Sequence, residues 1–161
     1  MIRHIERSEI PSCVKVIKES FATVAKEFNI TVENAPRYVA FATSEKQLYW
    51  QFDNGRPMFV YINDSGKIIG YFSLDIKENN ECELNNLCVL PDFRHKNIGE
   101  NLLNYAFSLA IELKCNKMYL SIVEENVQLR KWYTLHGFSY TESKKFDFFP
   151  FTCGYMTKNL T

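Results

Sequence analysis

No Cys-x-x-Cys pair occurs in this chain. The five cysteines, Cys13, Cys82, Cys88, Cys115 and Cys153, are odd in number and widely spaced. That argues against a zinc ribbon or a thioredoxin-like dithiol, and for reduced thiols in a cytoplasmic protein. His4, His95 and His136 have no metal-ligand spacing, so no metal is expected. No apolar run approaches the roughly 20 residues a membrane span needs. The start, Met1-Ile-Arg-His-Ile-Glu-Arg7, lacks an apolar core of signal-peptide length. Lys plus Arg and Asp plus Glu stand at 19 each. A neutral chain does not point to nucleic acid or an anionic membrane as its main partner. Neither G-x-G-x-x-G nor G-x-x-x-x-G-K-[ST] is present, which leaves the common nucleotide-binding folds without support. Repeats, low-complexity tracts and linkers are absent too.

What is present is ordinary in amount and unusual in kind. The 161 residues are 46% apolar and 24% charged, enough for one domain spanning 1–161 with a real core. Aromatics reach 15%, so that core should be aromatic-rich.

The periodicity predicts a short strand over 1–6. Ser8 reads as the N-cap of a helix whose apolar face runs Ile10, Cys13, Val14, Ile17, Phe21, Val24 and Phe28. Pro36 reads as the first turn of a second helix, over 36–52, stopped by Asp53-Asn54-Gly55. Strands follow over 57–62, 67–76 and 81–90, joined by turns at 63–66 and 78–80. A helix over 97–114, a strand over 117–123, a short helix over 126–136 and a closing hairpin over 138–146 and 152–158 complete the order. The step from strand 81–90 through the helix to strand 117–123 is a crossover, so those two strands should be parallel. The fold class is therefore α/β: a mixed, mostly antiparallel central sheet with one parallel βαβ step, flanked by helices.

The richest stretch is Glu83-Leu-Asn-Asn-Leu-Cys-Val-Leu-Pro-Asp-Phe-Arg94-His-Lys-Asn-Ile-Gly99. It reads as a strand, a basic turn and a helix start. Such a turn offers free backbone N–H groups and a positive helix end to an anion. Within the strand, apolar residues sit at Cys82 and Leu84, then change phase to Leu87 and Val89. Side chains alternate along a strand, so the change predicts a β-bulge near 85–87, or else a strand buried on both faces.

Together these features resemble the GNAT superfamily, the Gcn5-related N-acetyltransferases. The family's Arg/Gln-x-x-Gly-x-Gly/Ala motif stands here as Arg94-His95-Lys96-Asn97-Ile98-Gly99. Leu87-Cys88-Val89-Leu90-Pro91 is similar to its strand end, and Asn126…Tyr133…Gly137-Phe138 to its Asn…Tyr-x-x-x-Gly-Phe segment. The resemblance implies acetyl-CoA as acyl donor, with direct transfer to a primary amine of a small molecule, peptide or protein. The implied cofactor contacts are Leu87, Cys88, Val89, Arg94, His95, Lys96, Asn97, Ile98, Gly99, Glu100, Asn126 and Tyr133. The pyrophosphate would rest on the N–H groups of 94–99. The pantetheine arm would pair with backbone where strands 81–90 and 117–123 splay apart. Backbone near Cys88 and Val89 would aim an N–H at the thioester oxygen. Asn97 departs from the pattern by replacing the first motif glycine. It is the non-glycine residue that best tolerates φ > 0, so the turn is expected to survive. The same departure supports an alternative, a catalytically degenerate acyl-CoA-binding sensor or interaction module.

Glu83 stands where several family members place a general base, and shares a strand face with Asn85; a solvated strand charge is the plainer reading, and Glu81 the fallback. Tyr133 matches the family's general acid, since a phenol with a pKa of about 10 is protonated at neutral pH. Its plainer reading is a core aromatic beside Trp132. Cys88 is expected to be a small buried hydrophobe, not a nucleophile. Phe146-Asp-Phe-Phe-Pro-Phe151 could line an acceptor pocket, form a dimer contact or pack under a loop. The resemblance places helix 36–52, with Tyr38, Tyr49 and Trp50, at the acceptor wall. The chain is expected to be a monomer or a homodimer.

Overall fold

Short polar turns fold the first half of the chain into a meander. The computed structural model describes residues 1–160. Strands β1 (Ile2–His4), β2 (Met58–Ile62), β3 (Ile68–Ile76) and β4 (Glu81–Val89) pair antiparallel in that order. Asn63 closes the first hairpin by accepting from the Ser65 and Lys67 N–H groups through its side chain. Asn79 and Asn80 close the second at φ 61° and 60°, the left-handed conformation that asparagine tolerates.

Past the meander the chain crosses over through α4 (Ile98–Glu112) to β5 (Lys117–Val123). That crossover makes β4 and β5 the parallel pair of the sheet. Helix α5 (Val127–Leu135), β6 (Ser139–Lys145) and β7 (Thr152–Asn159) finish the chain, with β7 lying between β5 and β6. The result is a seven-stranded mixed sheet in the order β1-β2-β3-β4-β5-β7-β6, flanked by helices. Its core is aromatic, with Tyr71, Phe72 and Phe138 among the largest fully buried side chains. No described helix is long and apolar enough to cross a membrane.

The first helix, α1 (Ile10–Glu27), buries Ile10, Cys13, Val16 and Ile17 against the sheet. Ser8 is not its N-cap. A 3₁₀ turn, Arg7–Glu9, precedes the helix. There the Glu9 carboxylate takes the Glu6 N–H at 2.8 Å and binds Arg3 at two points, which leaves Ser8 exposed.

Nor is there one helix over 36–52. Pro36 precedes a single turn, α2 (Val39–Ala42), and a separate helix follows, α3 (Glu45–Asp53). Side-chain oxygens make the break. Thr43 donates its hydroxyl to the Val39 carbonyl at 2.6 Å, and Ser44 starts a new helix by accepting from the Gln47 N–H at 3.2 Å.

Candidate functional site

The bulge anticipated from the phase change is present. Tyr71 pairs with Cys88 and Ser73 with Asn85, so Phe72 faces both Asn86 and Leu87. Asn86 absorbs the extra residue at φ 56°. Beyond the bulge, Leu90 N donates to Ile69 O at 2.8 Å. Hydrogen bonding alternates along an antiparallel edge, so the neighbouring Val89 turns its N–H and C=O away from β3.

On the other side of β4, pairing with β5 covers only Glu81, Cys82 and Glu83, opposite Lys117, Met118 and Tyr119. Both strands continue, but apart. The V between them opens a cleft of about 440 Å³. Leu84, Asn85, Asn86 and Leu87 form one wall, and Leu120 to Val123 of β5 the other. From α5, Asn126, Leu129 and Tyr133 reach it. Tyr38, Gln47 and Gln51 close it from the α2–α3 side, and Phe149 and Phe151 from the tip between β6 and β7.

The basic turn follows β4 and does not itself line this cleft; at Gly99 it lies beside Val89 and Trp132. The backbone is left-handed at His95 (φ 62°) and at Asn97 (φ 64°), the latter being the N-cap residue of α4. Asn97 makes no side-chain cap bond. Among the described residues, the N–H groups of 95–100 find no acceptor. That row of donors at a helix N-terminus suits a pyrophosphate. Lys96 adds positive charge nearby, 5.6 Å over the Phe93 ring. Gly99 and Glu100 lie beneath α5: Trp132 is the nearest side chain to Gly99, and His136 Nε2 stands 3.6 Å from Glu100 Oε1.

Arg94 opens the turn. Its side chain points back into the fold, donating to Val89 O, Thr23 Oγ1 and Ser20 O, and its own N–H bonds Pro91 O. It therefore shapes the turn. The Cys88 side chain is buried away from the gap, its thiol pushed up to about 12 by burial, so a nucleophile reading has no support.

Tyr133 is buried, with its side chain on the cleft wall. Burial raises its pKa, so the phenol keeps its proton. Its hydroxyl has no hydrogen-bond partner among the described residues. Asn126 caps α5 by accepting from the Leu129 N–H at 3.2 Å while lining the cleft.

Glu83 is half-buried and does not line the cleft, which begins on β4 at the next residue, Leu84. With its amide oriented to satisfy both neighbours, Asn85 donates to Glu83 Oε1 and accepts from Arg56 Nη1. Burial raises the Glu83 pKa above the ordinary carboxylate range, opposed by Lys77 and reinforced by Asp75. Of the aromatics on the former helix 36–52, only Tyr38 lines the cleft; Trp50 is 64% exposed and Tyr49 lies under Arg7. Arg37 and Arg56, which also line it, had no local sequence signal. Their position depends on contacts between distant segments.

Comparison with known proteins agrees with this geometry. The sequence profile of the acetyltransferase (GNAT) family matches residues 25–138, more than half of the chain. An uncharacterized N-acetyltransferase of the pepI 3′ region in Lactobacillus delbrueckii subsp. lactis is 20% identical over 143 residues, 84% of this chain and 82% of that protein. Among solved structures, the PaiA N-acetyltransferase of Thermoplasma acidophilum, in complex with coenzyme A, superposes with a TM-score of 0.82 at 21% identity, covering 99% of this chain and 98% of that one. A phosphinothricin acetyltransferase of Sinorhizobium meliloti, in complex with AcCoA, gives 0.77 at 20% identity, covering 99% and 87%.

Proposed function

The chain belongs to the GNAT acetyltransferase family and is an acetyl-CoA-dependent N-acetyltransferase; from that premise we propose that it passes the acetyl group directly to a primary amine in the cleft between β4 and β5. The amine belongs to a small molecule, or to a peptide or protein. The observation that carries this reading is the V itself. A protonated tyrosine of α5 lines it, and the turn with six unaccepted N–H groups packs at Gly99 against Trp132 of the same helix.

Acetyl-CoA supplies an activated acyl group. The residues that would hold it are the N–H groups of 95–100 at the pyrophosphate and the open edge of Leu87 to Val89 along the pantetheine. Asn126 and Tyr133 border the same cleft. Glu83 takes the proton of the incoming ammonium, directly or through water; its raised pKa makes it a better base than an exposed carboxylate. Tyr133 gives its proton to the departing thiolate, and the phenolate is reprotonated by the second proton that the nitrogen sheds as the amide forms. The Val89 N–H, turned away from β3, is the donor available to a developing oxyanion.

The sensor reading rested on Asn97. Asn97 holds φ 64° with its side chain exposed, which supports a turn that keeps its shape without the motif glycine. The five free cysteines suit the reducing cytoplasm.

The test is calorimetric titration of acetyl-CoA, followed by thiol release with a panel of amines. One-to-one binding lost in Gly99→Asp but kept in Gly99→Ala, with amine-dependent thiol release, is the expected result. A Cβ at Gly99 would meet Trp132 at 3.7 Å and Val89 at 3.8 Å, ordinary contacts, so the alanine control isolates charge from bulk. Binding without thiol release from any amine would return the protein to the sensor class.

A further inference from the structure

The cleft wall carries two charged side chains, Arg37 and Arg56, and no carboxylate. Arg56 is already matched. Its Nη2 lies 3.3 Å from Asp75 Oδ2, and Lys77 Nζ lies 2.8 Å from the same oxygen. Glu83 feels both cations. Arg56 and Lys77 therefore balance Asp75 and Glu83.

Arg37 is left over. Among the described residues no carboxylate lies within ion-pair distance of it. Its side chain is exposed at the rim of the cleft, and its guanidinium stands 4.0 Å over the ring of Phe148, itself exposed. Stacking on one face leaves the N–H edge of the guanidinium to bind a planar anion at two points. Beside it the wall turns apolar: Tyr38 meets Phe151 edge-on at 5.6 Å, and Phe149 stacks on Phe151 at 4.6 Å.

We infer that the amine acceptor carries a carboxylate, held by Arg37, and an apolar group packed against Tyr38, Phe149 and Phe151: a free amino acid or short peptide of apolar side chain. This rests on the transfer reading above for the amine, and on the cleft alone for the carboxylate. A polyamine is the wrong class, since it would bring positive charge to a wall already in surplus of it.

The test uses the full chain with phenylalanine, phenylalaninamide and spermidine as acceptors. The amide has a less basic amine, so the informative readout is how Arg37→Ala changes each KM. Phenylalanine KM should rise about tenfold in Arg37→Ala, as for loss of a charge-assisted pair, with phenylalaninamide within about twofold and kcat unchanged. Arg37→Lys should restore only part. An equal loss for acid and amide, or preference for spermidine, overturns the inference.

Should no amine be acetylated, the transfer reading fails, and the carboxylate is still decided by titrating N-acetylphenylalanine and its amide into the CoA-saturated protein. Acid binding that weakens about tenfold in Arg37→Ala, with the amide unaffected, supports it. No acid binding, or binding indifferent to Arg37, overturns it.

Discussion

Arg94 donates through Nε to the Val89 carbonyl at 3.0 Å, tying the basic turn to β4, a strand that borders the cleft. The same guanidinium bonds Thr23 Oγ1 at 2.9 Å and Ser20 O at 2.8 Å, so α1 joins the clamp. Arg94 thereby holds together the strand, the turn and the helix beside the cleft.

Arg94→Ala should therefore destabilise the fold by about 2–4 kcal/mol, since hydrogen bonds to a charged group each contribute about 1.5–3 and do not add fully. Arg94→Lys should recover little, because an ammonium cannot span three acceptors with one planar fork. Urea unfolding measures both. A loss of acetyl-CoA affinity with unchanged stability would put Arg94 back on the ligand.

Tyr133→Phe removes a hydroxyl with no partner among the described residues. Stability should stay within about 0.5 kcal/mol, because no bonded partner is stranded. kcat should fall by on the order of 10- to 100-fold, with acetyl-CoA affinity nearly unchanged. An unaltered kcat removes Tyr133 from the chemistry.

Glu83 makes opposite demands on stability and activity. Its folded pKa is raised, chiefly by burial, so the folded chain holds this proton to higher pH than the unfolded chain does. The stability it contributes is complete below the unfolded carboxylate pKa and is lost as pH rises through the folded one. Glu83→Gln should leave stability unchanged in acid and raise it at neutral pH. The same variant should flatten the acidic limb of the kcat/KM–pH profile. A limb that persists places the base elsewhere.

Asn97 contributes conformation to the turn, having no cap bond at φ 64°. Asn97→Ala should cost about 1 kcal/mol, the penalty for a Cβ in the left-handed region without asparagine's local compensation. Asn97→Gly should hold stability within about 0.5 kcal/mol, as easier backbone geometry offsets greater freedom in the unfolded chain. If the side chain crowds the phosphate, the glycine variant will also bind acetyl-CoA more tightly in calorimetry.

Sequence periodicity located nearly every strand, because alternation and turn residues act within a few positions. The bulge showed as a change of phase between Leu84 and Leu87, and the tolerance of Asn97 for φ > 0 followed from its side chain. Reading failed where short polar side chains act on their own backbone. Thr43 and Ser44 open a short polar stretch, 43–47, between two apolar segments, and there they end one helix and begin another. Glu9 outcompeted Ser8 at the start of α1 because it could pair with Arg3 as well.

Local pattern alone thus determined the order of the strands, the one parallel step and the turn with its free N–H groups. Tertiary structure decided which side chains face the cleft. Arg94 reaches Thr23 across 71 positions, and Phe151 meets Tyr38 only because β7 is inserted beside β5. No window of sequence holds both partners of such a contact. Hydrophobic burial is also non-directional, so it draws Phe149 and Phe151 inward without naming the wall they join. The surplus charge of Arg37 likewise appears only when distant carboxylates have found their own partners.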